Sequence, residues 1–220
     1  MQYLIKLFVG VQCFYLLVGA SAGEQQSKPP SRAQCDAWVQ QLANRSERPF
    51  EGYVHRSPKN IDRKALGEVK VAYDNLSMHF VESLPSLIGG LSDKRYSYYQ
   101  EVPSNGVFTC HNVGGACYDI ITANIETRRL SFLDKTGVLR SVHFITAMGG
   151  AEKWYETRKR KSLFELQLEA IDWALQQPRD ERIEQTEWDR GVVSLRKFRD
   201  EFTIGQKAID PKKRLWFEGK

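Results

Sequence analysis

Cysteine is scarce in this chain, four in 220 residues, which excludes a small scaffold held mainly by disulfides. Eight prolines and 16 glycines are too few for a collagen-like or low-complexity polymer. No internal repeat is visible. After the N-terminal segment no apolar run is long enough to cross a bilayer as a helix, which takes about 20 residues. An excess of one charge is also missing: 32 basic residues face 27 acidic ones, for a net +5. That suits meeting acidic surfaces but falls short of a nucleic-acid-binding polycation. There is no Gly-x-Ser-x-Gly, no Walker-type loop and no His-Glu-x-x-His, so the common hydrolase and nucleotide-binding readings lack support.

What is present begins at the N-terminus. Lys6 precedes a short apolar run, Leu7 to Val18, broken only by Gly10 and Gln12, and Ala20-Ser21-Ala22 follows. A positive start, a short apolar core and small residues at the cleavage positions predict a signal peptide over 1–22. Residues 23–30 read as a flexible leader, and 31–220 as one α+β domain. Export removes Cys13 and places Cys35, Cys110 and Cys117 in an oxidising compartment. Cys110 and Cys117 flank Gly114-Gly115 and are predicted to staple a hairpin; a Cys35 bridge to either is the rival pairing. A zinc site on Cys110, His111 and Cys117 lacks an evident fourth ligand, so neither metal nor cofactor is expected.

The hydrophobic periods divide the domain. In 31–67, a capping pattern at Ser31–Gln34 leads a helix with Cys35, Trp38, Val39 and Leu42 on one face, followed by loops. Over 68–148 the period looks like two. Val69, Val71 and Tyr73 alternate with polar residues up to Asp74-Asn75, and Leu76, Met78 and Phe80 alternate beyond it. Pro85, Gly89 and Gly90 suggest a loop, and strands follow at 95–101, 106–110 and 117–125. The Asp134-Lys-Thr-Gly137 turn joins strands near 126–133 and 138–146. Together these predict an antiparallel meander of six or seven strands. Over 151–204 a second capping box, Ser162–Glu165, opens a helix that Pro178 stops, and a further helix spans about 180–202. Residues 205–220 complete the chain as an aromatic-bearing arm.

Few residues carry chemistry. The bulged turn sets Arg129 opposite His143 to within a residue of register, with Glu126 and Arg128 a position or two further along. A His, a carboxylate and an Arg on one surface could cleave a phosphodiester by acid–base catalysis with anion stabilisation. The competing view is a solvated sheet face. Tyr96, Tyr98 and Tyr99 are candidate stacking residues for a ligand. Asn44 and Asn75 begin acceptor sequons for N-glycosylation, and Arg158–Lys161 is a short basic run before a helix. The combined expectation is a secreted, non-enzymatic binding protein, effector-like or an extracellular accessory. Its partner would be a protein or glycan, without stably bound nucleic acid and without a membrane span once mature. The alternative is a small secreted phosphodiesterase or ribonuclease using His143, Glu126 and Arg129.

Overall fold

The computed structural model describes residues 28–55, 61–102, 107–133, 135–136 and 139–209. The predicted signal peptide, most of the leader, both ends of the 134–137 turn and the end of the C-terminal arm lie outside these residues. Ser31 opens the first helix as its spacing predicts: its hydroxyl accepts from the Gln34 N–H at 3.2 Å. Helix α1 (Arg32–Gln41) buries Cys35 and Val39, and Leu42 is buried just beyond its end.

The expected meander is not what forms. Eight helices and five short strands, in one three-stranded and one two-stranded sheet, are found among the described residues. The region read as a Val69–Phe80 hairpin is instead α2 (Arg63–Met78) followed directly by α3 (Phe80–Gly90). The Asp62 carboxylate starts α2 by accepting the Lys64 and Ala65 N–H groups at 3.0 Å, the usual way an Asp satisfies unpaired donors of a first turn. The apolar residues here fit both periods. Leu66, Val69, Ala72, Tyr73 and Leu76 are three or four apart and buried, whereas Val71, which alternation pairs with Val69, is 59% exposed against 1%. In α3 Phe80, Leu84 and Leu87 are buried beside Ser83, Ser86 and Gly90. A Cβ on Gly90 would lie 2.8 Å from both Cys117 Sγ and Val39. These small residues let α1 and α4 approach closely, and that packing outweighs the one internal hydrogen bond that Pro85 removes.

The second correction concerns the paired cysteines. Strand β3 (Val107–Asn112) runs straight into α4 (Val113–Ile125), which replaces the predicted strand at 117–125. Asn112 caps this helix, accepting from the Gly115 N–H at 2.7 Å. Gly114 and Gly115 therefore form a first helical turn, and neither is among the positive-φ glycines. Gly114 is required for a different reason, since a side chain there would collide with the Leu91 carbonyl. Cys110 and Cys117 are both free thiols. Cys110 pairs across the sheet with Tyr99, while Cys117 is buried under α3. A hairpin tip would have brought the two sulfurs together; a strand passing into a helix does not.

The remaining strands are short. β1 (Tyr53–Val54), β3 and β2 (Tyr96–Val102) form the antiparallel order β1-β3-β2. β4 (Ser131–Leu133) and β5 (Leu139–Ser141) make a separate hairpin. Two small helices follow, α5 (Phe144–Ala147) and α6 (Ala151–Glu156). Next comes α7 (Leu163–Leu175), with the Ser162–Glu165 capping box in place. Last is α8 (Gln185–Gly205), ended by Gln206 in the left-handed conformation. α7 serves two hydrophobic clusters. Its Leu166 and Ala170 belong to the larger, built from α1 to α4 with Tyr98 of β2 and residues of α5 and α6. Its Ile171 and Ala174 belong to the smaller, where α8 supplies Trp188, Leu195 and Phe202 and the hairpin supplies Phe132.

Candidate functional site

The hairpin register brings Arg129, His143 and Glu126 together. Ser131 pairs with Ser141, and one step outward the Val142 N–H donates to the Leu130 carbonyl at 2.9 Å. The next step sets Arg129 facing His143. Glu126 reaches the same place as the residue that ends α4, its own N–H donating to the Thr122 carbonyl at 2.8 Å. The three meet where α4, the hairpin and α5 join, rather than on the open sheet face that strand alternation implies.

The chemistry available there follows from the partners of Glu126. Its side chain is 2% exposed, with Oε2 2.7 Å from Arg129 Nε, and Oε1 accepts the Ile145 N–H at 2.9 Å. The carboxylate therefore ties the end of α4 to the hairpin and to the first turn of α5. His143 is 45% exposed, and its Nδ1 lies 3.6 Å from Oε2, beyond a formed hydrogen bond. A buried carboxylate paired with a guanidinium and bonded to a backbone donor is screened from a substrate proton. The arrangement is that of a strut.

Beside this strut lies an open cleft of about 390 Å³ between β4 and α8. Gly191 lets α8 and β4 approach closely at the cleft, because a Cβ there would sit 2.5 Å from the Phe132 ring. Phe198 and Ser194 line the α8 side, and Arg128 and Ser131 the β4 side, with Lys197 and Glu201 also in the lining. The Arg128 guanidinium stands 5.0 Å over the Phe198 ring, and no carboxylate partners it among the described residues. Arg128 adjoins Arg129 in the sequence, but periodicity alone does not show that α8 would face it. The available signal was the spacing of Gly191, Ser194, Leu195 and Phe198, which puts small and apolar residues on one helical face.

Of the β2 tyrosines, Tyr98 is fully buried, while Tyr96 and Tyr99 are partly buried. Tyr98 is 0% exposed, and its hydroxyl donates to Asp119 Oδ2 at 2.7 Å. Its ring stacks on His111 at 4.7 Å, and His111 Nδ1 is 3.4 Å from the same carboxylate oxygen. No face of this ring is open to a ligand. Tyr99 lies between Phe50 and Phe108, at 6.5 and 6.2 Å. Burial raises the hydroxyl pKa of both Tyr96 and Tyr99. This His111–Asp119–Tyr98 group escaped the sequence reading, because Asp119 joins it only once α4 is a helix. Burial also pushes the Cys117 thiol up to about 12 and raises that of Cys110. Neither is therefore a ready thiolate.

The remaining candidates resolve into structural parts. Arg158 Nε and Lys161 Nζ both bond Glu169, at 2.9 and 2.6 Å, so the basic run fastens the turn before α7 onto that helix. Asn44 Oδ1 accepts from the Ser46 N–H and hydroxyl, at 2.9 and 2.6 Å, and its amide nitrogen is buried without a hydrogen-bond partner. Asn75 lies within α2, with the Ser77 hydroxyl of its sequon buried against Asn124. Among the described residues no group of three or more His, Cys, Asp or Glu side chains is placed to hold a metal, and no helix is long and apolar enough to cross a membrane. Compared with known protein families, curated proteins and solved structures, the chain has no significant match.

Proposed function

We propose that this protein is exported and acts by binding another macromolecule, with the α8–β4 cleft as its contact surface. One observation carries the non-catalytic part of this reading: Glu126, the only carboxylate beside His143 and Arg129 that the sequence singled out, is 2% exposed and already held by Arg129 and the Ile145 N–H. A general base must reach the proton it removes, and this one faces inward. The cleft supports the binding part. It is open and joins an exposed arginine to an aromatic wall, the residue types enriched where protein surfaces bind. The N-terminal apolar run ending in Ala20-Ser21-Ala22 supports export.

Purified wild-type protein and His143→Ala, incubated with RNA and with bis(p-nitrophenyl) phosphate, test the reading. Neither protein is expected to turn over either substrate. Cleavage by the wild type that is lost in a folded His143→Ala variant would falsify it in favour of a phosphodiesterase. A general acid or base contributes about 10²–10⁴-fold, so the difference would be plain.

A further inference from the structure

Resting on the binding reading, we propose that the cleft receives a short segment of a partner protein carrying an acidic side chain next to an apolar one. Arg128 supplies the first half of this specificity. It is exposed, it has no carboxylate partner among the described residues, and the Phe198 ring beneath it at 5.0 Å holds its planar guanidinium in place. A guanidinium already seated over a ring loses less freedom when it takes up a carboxylate through two parallel N–H donors. Lys197 is the second cation of the lining. Its ammonium is 4.0 Å from Glu201 and 80% exposed, so an incoming carboxylate can compete for it. Arg129 contributes little, because its charge is already paired with the buried Glu126, Nε to Oε2 at 2.7 Å.

The rest of the cleft selects against other anions. Phe132, Phe198 and Leu195 give it apolar walls that a free phosphate or a sulfated sugar cannot use. A uniformly charged polymer would also have to follow α8. That helix offers Arg190, Arg196, Lys197 and Arg199 against Glu187, Asp189, Asp200 and Glu201, and the acidic residues would repel such a chain at every turn. A mixed peptide has fewer charges to place and meets the like charge of Glu201 only beside Lys197. Its carboxylate goes to Arg128 and Lys197, its apolar neighbour to the hollow over Phe132 and Gly191, and its backbone to the Ser131 and Ser194 hydroxyls.

The test is isothermal titration calorimetry of the full mature chain with an acetylated, amidated hexapeptide of alternating Glu and Leu. The same peptide with Gln for Glu and a heparin hexasaccharide run beside it. The Glu–Leu peptide is expected to bind, more weakly at high salt, and both comparison ligands to bind at least tenfold less tightly. Arg128→Gln and Lys197→Gln should each weaken binding by at least about fivefold, the scale of an interface contact that matters. Arg190→Gln makes the same charge change on α8 outside the cleft and should leave binding unaltered. Ser194→Trp fills the cleft from an exposed position and should abolish it. Equal binding by wild type and Arg128→Gln, preference for heparin, or no peptide binding at all would each overturn the assignment. If the wild type still cleaves no RNA, such a result removes the cleft and leaves the binding reading in place; RNA cleavage would remove the binding reading itself.

Discussion

Glu126 and His143 sit 3.6 Å apart and make very different demands on the fold. Removing the half-exposed imidazole should change stability by no more than about 0.5 kcal/mol, as for most surface substitutions. Glu126→Ala should cost about 3–5 kcal/mol, because it leaves Arg129 unpaired beside the core and the Ile145 N–H without its acceptor. Urea denaturation of both variants measures the contrast, and similar midpoints would show that Glu126 is not a strut. Gly191 offers a second contrast. Helix propensity alone favours alanine over glycine by about 1 kcal/mol in a helix interior. Here the new methyl would meet the Phe132 ring at 2.5 Å, a ring that Trp188 backs at 5.2 Å. Gly191→Ala is therefore expected to destabilise the protein, and pairing it with Phe132→Leu to recover part of the loss. A Gly191→Ala protein with a higher melting temperature would refute the close approach.

At the scale of elements, α2 is where two periods compete and where a pair of substitutions separates them. On a strand, Val69 and Val71 share a face; on the helix found, they do not. Val69→Asp places a charge among Leu66, Tyr73 and Leu76 and should abolish cooperative unfolding or lower stability by more than about 3 kcal/mol. Val71→Asp, on the exposed side, should stay within about 0.5 kcal/mol. Equal damage from the two would restore the hairpin. The start of this helix is separately testable. Asp62→Ala removes the acceptor of two backbone donors and should cost about 1 kcal/mol.

Across the whole molecule, buried polar contacts join elements far apart in the chain. Gln167 donates to the Asn124 carbonyl at 2.8 Å and the Ile209 carbonyl at 3.0 Å, and accepts the Ile209 N–H at 2.9 Å. It thereby clamps the chain beyond α8 to α7 and α4. Glu169 joins the turn after α6 to α7. Burial opposes its ionisation, but hydrogen bonds from Arg158 and Lys161 prevail and hold its pKa below the ordinary value. A carboxyl lowered by folding stabilises the native state above its unfolded pKa of about 4.3, and that contribution fades as pH falls through the folded value. Urea midpoints measured downward from pH 6 should therefore drop through this window, and less steeply for Glu169→Gln. Identical slopes for variant and wild type would remove Glu169 from the acid response.

The features legible in the sequence were those set by neighbours a few residues apart. Ser31 and Ser162 announce helices because a hydroxyl three residues ahead of the right N–H caps it whatever the rest of the chain does. The meeting of Arg129 with His143 follows from a short connection and two-residue alternation, whereas the strand at 106–110, expected to pair with 117–125, pairs with β2 and β1 instead. Residues 63–90 and 113–125 were not legible, because Leu66 to Phe80 satisfies both periods and Gly114-Gly115 suits a reversal as readily as a first helical turn. Only the tertiary structure decided between them. α1, α3 and α4 bury one another along faces of period 3.6, with Gly90 and Gly114 permitting approaches that larger residues would block. That choice turned Cys117 away from Cys110, drew Asp119 to Tyr98 and His111, and left Glu126 at a helix end. The cleft is of the same kind, since its two walls lie some sixty residues apart in the chain and meet only when α8 packs on β4. Local chemistry determined where elements begin; burial against distant partners determined what they became.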